Sequence, residues 1–206
     1  GLRAKARGCE PGADDPVPVL LRWRLRRGQA LAHGQAAIGA FSERFERAYT
    51  DGMRRKLGLF TAETDDLGLA GALLEVMAAQ SADFTLTFRN LCDAAQNEAA
   101  DAKVAALFAD PTSFAGFAKK WRARMASEGM PGEERARAMR RVNPAFIPRN
   151  HRIAAVVEAA EMRNDFEPFH RFCKILEHPY EDQPEAADFM LPAKPEERVT
   201  KTFCGS

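Results

Sequence analysis

The residue types that catalysis and metal binding need occur in this sequence, but their arrangement fits neither chemistry well. Two pairs of adjacent carboxylates, Asp65-Asp66 and Glu133-Glu134, could in principle exchange protons or hold a divalent cation. Both pairs stand at predicted helix starts, where the helix dipole alone accounts for acidic residues. His151 and His170 lie in helical stretches, and the four histidines do not pair at the spacing of metal ligands. We therefore interpret these histidines as ordinary surface or hydrogen-bonded residues.

Two short stretches are partly similar to protein-kinase motifs. NDFEP at residues 164–168 carries the Asp-Phe of a kinase metal-binding triplet, but Glu167 stands where Gly belongs. NHR at 150–152 lacks the Asp that follows Arg in a kinase catalytic loop. The glycines are scattered and form no phosphate-binding loop, because Gly68 and Gly71 fall inside a helical pattern. The chain itself therefore shows no nucleotide site.

Composition limits the possible classes of protein. The 206 residues are 46% hydrophobic and 29% charged, with a net charge of +1, which is ordinary for a globular domain. No apolar run approaches the ~18–20 residues that span a bilayer, and no signal peptide is visible. Four cysteines without CxxC spacing are too sparse for a disulfide scaffold or a zinc site. We expect no membrane partner and a reducing, cytosol-like compartment.

Charge is unevenly distributed along the chain. Residues 119–152 carry ten Lys/Arg against three Asp/Glu, whereas residues 153–206 carry six against eleven. An RNA-binding interpretation would use Trp121 for stacking, together with Arg122, Arg124, Arg140, Arg141, Arg149 and Arg152. Trp121, however, is in phase with Phe114, Phe117 and Met125, which places it in a core stripe. We favour arginines that face acidic surfaces of the same protein, and nucleic acid is not an expected partner.

The elements that must position these residues are helices. From about residue 36 to residue 178, apolar residues recur at steps of three and four, which predicts six or seven helices, no convincing strand and an all-α fold. The apolar stripes are Ile38-Phe41-Phe45-Tyr49-Met53-Leu57, Leu69-Leu73-Leu74-Met77, Phe84-Phe88-Leu91-Cys92, Phe114-Phe117-Trp121-Met125, Ile153-Val156-Val157-Ala160 and Phe166-Phe169-Phe172-Cys173-Leu176. Cys92 and Cys173 should therefore be shielded from solvent.

The two ends of the chain have a different composition. Residues 1–35 hold seven Lys/Arg, and the stretch PGADDPVPV is rich in proline, so we expect a disordered arm. Leu21, Trp23 and Leu25 alternate with arginines there, which is a weak strand-like signal. Residues 179–206 are expected to form a loop and a mobile C-terminal tail. Cys204 lies in that tail, and by composition alone it would be an inert, exposed thiol.

The least generic stretch is VNPAFIPRNH, at residues 142–151. Two prolines restrict its backbone, and its aromatic and aliphatic residues can anchor it, so we expect a rigid, packed connector between two helices. Arg149 and Asn150 are placed to tie this connector to backbone carbonyls or to a carboxylate.

Several motifs in order resemble the C-terminal region of the selenoprotein O family, also called the YdiU family. The most specific is MRRVNPAFIPRNHRIAAVVEAA at 139–160. The others are FSERFERAYTDGMRRKLGL (41–59), LLEVMAAQSADFTLTFRNL (73–91), FAKKWRARM (117–125), ILEHPYEDQPE (175–185) and TFCGS (202–206). The resemblance covers residues 36–206 and leaves out residues 1–35.

The resemblance implies a kinase-like, pseudokinase fold and the transfer of AMP from ATP to hydroxyl side chains of proteins, with Mg²⁺ or Mn²⁺. The family's nucleotide-binding Lys, its acidic partner and its metal-binding Asp and Asn lie upstream of the matched part. No catalytic, cofactor-binding or metal residue is therefore carried over to this chain. Selenium-containing members have selenocysteine third from the end, where Cys204 stands here. Cys204 is thus the candidate redox residue, since a mobile tail can reach a partner thiol.

The sequence is therefore interpreted as the multi-helix C-terminal region (36–178) of a kinase-like protein adenylyltransferase. ATP and metal are not expected to bind this chain alone, and its expected partners are protein substrates and an N-terminal kinase-like half. The chain begins with Gly, and residues 1–35 are typical of a wrong reading frame, so a truncated, frameshifted or partial gene product is expected. The location would be cytoplasmic, or mitochondrial in a eukaryote. A non-enzymatic helical interaction module and, more weakly, an RNA-binding domain are the alternatives.

Overall fold

The computed structural model describes the backbone of residues 19–199 and the side chains of residues 28–199. In this range the chain forms nine α-helices and no β-strand, so the all-α prediction is confirmed. The helices are α1 (Val19–Gly39), α2 (Phe41–Lys56), α3 (Asp66–Ala79), α4 (Phe84–Gln96), α5 (Asp101–Ala105), α6 (Phe114–Ala126), α7 (Gly132–Arg140), α8 (Asn150–Arg163) and α9 (Glu167–Glu177). Short 3₁₀ turns lie at Glu98–Ala100, Pro111–Ser113, Pro184–Met190 and Pro195–Glu197.

Two compact units make up the chain, residues 1–48 and residues 49–206. In the first unit, α1 includes Leu21, Trp23 and Leu25, so the strand-like interpretation of their alternation is wrong. The expected disordered arm can be compared with the structure only from Val19 onward, where the backbone is helical. The side chains of residues 28–39 are exposed to solvent, and so are those of Phe41 and Phe45.

The second unit is built around Trp121, which is 0% exposed. Its indole Nε1 donates to the backbone oxygen of Leu57 at 2.8 Å, so the one polar atom of the ring is satisfied inside the core. Around it, α3 packs on α6, and α4 packs on α5 and α7. Phe88 and Phe114 are buried in the same cluster. The prediction that Trp121 belongs to the core rather than to a nucleic-acid surface is confirmed.

The turn after α2 requires a glycine. Gly58 has a φ of +70°, a conformation that residues with a Cβ adopt at a cost. A Cβ added here would also lie 2.5 Å from the sulfur of Met139 on α7. Because the backbone at Gly58 packs this closely against α7, Leu57 and Leu59 on either side of it are both buried in the core.

A helical hairpin, α8 followed by α9, forms the C-terminal part of the described chain. Asn164 ends α8 in the left-handed conformation, with a φ of 52°. Only part of each predicted stripe is buried: Val156 and Phe172 face inward, whereas Ile153, Val157, Phe166 and Phe169 are exposed. Cys173 is exposed as well, so the prediction that it is shielded is wrong, while Cys92 is buried as expected.

Candidate functional site at the connector between α7 and α8

The connector that follows α7 is held by hydrogen bonds to α2 and from α4. Asn143 is completely buried, and its side-chain nitrogen donates to the backbone oxygen of Lys56 at 2.9 Å. Arg89 on α4 donates to the backbone oxygens of Asn143 at 3.0 Å and of Tyr180 at 3.1 Å, and pairs with Asp182 at 2.6 Å. One buried guanidinium thus joins α4, the connector and the segment after α9. The prediction that this connector is packed is confirmed.

The end of the connector is held by Arg149. Its two terminal nitrogens donate to the two carboxylate oxygens of Asp83 at 2.8 and 2.9 Å, as predicted for a tie to a carboxylate. Asp83 also caps α4, because one of its oxygens accepts from the Leu86 amide at 2.8 Å. The side chain of Asn150 is exposed and makes no hydrogen bond to the described residues, so only Arg149 provides the tie.

The arginines that an RNA-binding interpretation would use are engaged within the protein. Five of the six form ion pairs: Arg122 with Asp101, Arg124 with Asp66, Arg140 with Asp93, Arg149 with Asp83 and Arg152 with Asp188. Arg141 alone among the six is exposed without an ion pair to a described residue. Trp121 is buried and cannot stack on a base. The prediction that the basic region faces acidic surfaces of the same protein is confirmed.

Asp66 is more than a residue that complements a helix dipole, which is all the sequence predicted for it. Its carboxylate is buried and accepts from Arg54 at 2.7 Å, from Arg124 at 2.8 Å and from the Glu63 amide at 2.8 Å. Burial raises the pKa of this carboxyl, but the hydrogen bonds from Arg124, Glu63 and Arg54 outweigh burial and leave the pKa below its usual value. Asp66 is therefore an anchor of the structure that stays ionised at neutral pH.

Carboxylates elsewhere in the described chain are used in the same way. Asp83, Asp93 and Glu128 each accept from an arginine. Against the opposing effect of burial, the pKa of Asp83 is lowered chiefly by Arg149 and that of Asp93 by Arg140. The pKa of Glu128 is lowered chiefly by the Thr61 amide and next by Arg135. Among the residues that the structure describes, no group of three or more His, Cys, Asp or Glu could hold a metal ion. Cys204, the redox candidate, lies outside the described residues.

An open cleft of about 490 Å³ lies beside the connector. It is lined by Ile147, Pro148, Arg149, Asn150 and His151, and by Ala193, Arg198 and Val199 from the C-terminal segment. His151 is buried, and its Nε2 has no hydrogen-bond partner among the described residues, so the interpretation of His151 as a surface or hydrogen-bonded residue is wrong for the part of the chain that the structure describes. Burial, and next the charge of Arg152, lower the pKa of this imidazole. The sequence feature that could have pointed to this cleft is the run Arg149-Asn150-His151-Arg152 at the start of α8.

A family comparison identifies the class of protein. The family model described as "Protein adenylyltransferase SelO" matches residues 21–177. This chain belongs to the SelO family. The match confirms the resemblance carried by the motifs, and it begins within the 1–35 segment that the motifs had left outside the resemblance. It includes the whole connector and the α8–α9 hairpin.

Bacterial relatives of this SelO-family chain are described as "Protein nucleotidyltransferase YdiU". The protein of Rhodopseudomonas palustris (strain BisB18) is 52% identical over 177 residues, which are 86% of this chain and 36% of the relative. That of Bradyrhizobium sp. (strain ORS 278) is 49% identical over 180 residues, 87% of this chain and 36% of the relative. The protein of Nitrobacter winogradskyi is 45% identical over 202 residues, 92% of this chain and 40% of the relative. The SelO-family chain thus spans little more than a third of these relatives.

None of the described helices is both long and apolar enough to cross a lipid bilayer.

Proposed function

We propose that this chain is the C-terminal helical region of a protein adenylyltransferase that transfers AMP from ATP to Ser, Thr and Tyr hydroxyls of other proteins. The observation that carries the proposal is the family match over residues 21–177. Relatives with about half of their aligned residues identical are described as protein nucleotidyltransferases, which agrees with the transfer of a nucleotide to protein.

In this proposal the site for ATP and for Mg²⁺ or Mn²⁺ lies in the part of the protein upstream of the matched region. Nucleotidyl transfer needs donors that cradle phosphates and ligands that hold a divalent cation. The carboxylates of Asp66, Asp83 and Glu128 are paired with arginines instead. Since the relatives are much longer than this chain, they have ample sequence to supply such a site.

The role proposed for the helical region is to pack against and support the catalytic part. Phe166 and Phe169, at the start of α9, are 50% and 47% exposed, and Ile153 and Val157 on α8 are exposed too. Exposed apolar side chains grouped on one hairpin are typical of a surface that another part of a protein covers. The buried arginine ties through Arg89 and Arg149 would keep the connector at the base of this hairpin rigid.

A chimera tests the proposal. In it, this chain replaces the matching 177 residues of the Rhodopseudomonas palustris protein. With ATP labelled in the α-phosphate and with Mg²⁺ or Mn²⁺, the chimera should label itself or a protein substrate, and the isolated chain should not. A chimera carrying Phe169→Glu should assemble poorly and lose labelling, whereas Leu67→Glu, at an exposed apolar position on α3 outside the hairpin, serves as the control. Labelling by the isolated chain would overturn the proposal that the site for ATP and metal lies upstream of the matched region. A folded but inactive chimera would favour a non-enzymatic interaction module.

Two further expectations belong to the same proposal. Cys204 is proposed as a redox-active thiol because it lies in the TFCGS segment (202–206), which resembles the family segment in which selenium-containing members carry selenocysteine. A cytoplasmic location is proposed from the bacterial relatives. Protein substrates and the upstream half of the same protein are the proposed partners.

A further inference from the structure

The first turn of α8 gathers three buried side-chain nitrogens that lack a hydrogen-bond partner among the described residues. They are Arg149 Nε, His151 Nε2 and Arg152 Nε. His151 is only 9% exposed, and so is the Arg149 side chain. A buried polar atom without a partner costs free energy, so three such nitrogens at positions 149, 151 and 152 of one turn indicate that a binding partner is missing. The described part of the chain offers none. Arg149 and His151 line the cleft, whereas Arg152 does not.

The backbone of the same turn adds two more donors. α8 has 14 residues, and its N-cap residue Arg149 provides no side-chain acceptor for the first amides. The Arg149 carbonyl accepts from the amides of Arg152 and Ile153, whereas the amides of Asn150 and His151 have no acceptor among the described residues. Free amides at the positive end of a helix dipole bind anions.

The charged groups around the cleft also favour an anion. Arg198 lines the cleft and makes no ion pair with a described residue. Arg149 and Arg152 keep their pairing with Asp83 and Asp188 through their terminal nitrogens. Among the described residues, the carboxylate that acts electrostatically on His151 is that of Glu197, which is exposed. Glu197 would compete with a bound anion.

We propose that the cleft at the first turn of α8 binds a phosphoryl group, held by the free amides of Asn150 and His151, by the His151 ring and by Arg198. Donors from several directions match the several oxygens of a phosphoryl group better than the two oxygens of a carboxylate. A volume of about 490 Å³ leaves room for a phosphorylated small molecule as well as for free phosphate. This site is separate from the proposed upstream ATP site, and neither proposal depends on the other.

Titration of the purified full chain with phosphate tests the site. Inorganic phosphate, AMP or chloride is added at constant ionic strength, while NMR follows the His151 ring signals and the amides of Asn150 and His151. Phosphate and AMP should shift these signals saturably, and chloride should not. Tighter binding of AMP would identify a nucleotide-type ligand, and equal binding would identify the phosphoryl group alone as the ligand. Absence of a saturable shift with both phosphate and AMP overturns the proposal.

Three variants separate a specific site from general attraction to positive charge. Arg198→Gln should weaken phosphate binding about tenfold, as expected for the loss of one charge-assisted contact. Arg141→Gln removes the same charge from an exposed position that does not line the cleft, and it should leave affinity unchanged. Glu197→Gln should tighten binding, because it removes the competing carboxylate. Equal weakening by Arg198→Gln and Arg141→Gln would show unspecific binding and overturn the proposal.

Discussion

Arg149 and Asp83, 66 positions apart in the sequence, meet through two parallel hydrogen bonds of 2.8 and 2.9 Å. The same carboxylate caps the N-terminus of α4, so one ion pair fixes both the start of α4 and the end of the connector to α8. The Arg149 side chain is nearly buried, which removes water as a competitor for the pair. Four predictions follow from this and related contacts.

Replacing Arg149 by lysine should destabilise the chain by about 1–3 kcal/mol, because an ammonium cannot form two parallel bonds to one carboxylate. Urea denaturation followed by circular dichroism measures the loss as a lower midpoint. Arg141→Lys, at an exposed position without an ion pair to a described residue, is the matched control and should leave the midpoint unchanged. Equal midpoints for Arg149→Lys and the wild-type chain would show that the bidentate geometry contributes little.

Glu128→Gln should be strongly destabilising, by about 3 kcal/mol or more. The carboxylate is 2% exposed and accepts from the amides of Phe60 and Thr61 at 2.9 Å and from Arg135 at 2.8 Å. Since the Arg135 side chain is 3% exposed, neutralising Glu128 leaves a buried positive charge without its counter-ion. Thermal unfolding is the measurement. The control is Glu133→Gln on exposed α7 surface, where a change of more than a few tenths of a kcal/mol would be unexpected.

Acid should destabilise the chain through Asp66. Its pKa is lowered in the folded state, so its contribution is present above its unfolded pKa of about 4 and is lost as the pH falls through the lower folded value. In Asp66→Asn, the free energy of unfolding should be lower at pH 7 and should depend less on pH between 5 and 3. Urea titrations at each pH provide the data, with Glu75→Gln on the exposed face of α3 as the control. If Asp66→Asn left the pH dependence of the unfolding free energy unchanged, Asp66 would not be a source of the acid destabilisation.

The cysteines should differ sharply in reactivity. Cys173 is exposed and should react with a thiol reagent in the folded chain. Cys92 is buried, its thiol donates a hydrogen bond to the Phe88 carbonyl, and burial raises the pKa of this thiol. Short alkylation pulses followed by mass spectrometry of peptides give the order. Cys204 should also be labelled before Cys92. In 6 M guanidinium, roughly the concentration that unfolds even very stable proteins, the difference should vanish. Rapid labelling of Cys92 in the folded chain would contradict the structure.

Local sequence patterns determined which residues become helical. Trp121 was correctly assigned to a core stripe because Phe114, Phe117 and Met125 recur with helical spacing, and a helix puts such residues on one face whatever surrounds it. The alternation at Leu21–Leu25 wrongly suggested a strand, although the segment is helical. An alternation of five residues is too short to outweigh the helical periodicity that follows it. The motifs at 41–59 and 139–160 identified the family without any three-dimensional information.

Tertiary structure decided which faces are covered and which charges meet. Periodicity shows that Phe169 and Cys173 share a face of α9, but only packing shows that this face is open, because burial depends on a neighbour distant in sequence. The sequence predicted that Arg149 binds backbone carbonyls or a carboxylate. Its partner is Asp83 because the fold brings the start of α4 next to the end of the connector. The unpartnered His151 was missed for the same reason: a helical pattern fixes the direction of a side chain, whereas its hydrogen-bond partners come from other elements of the fold.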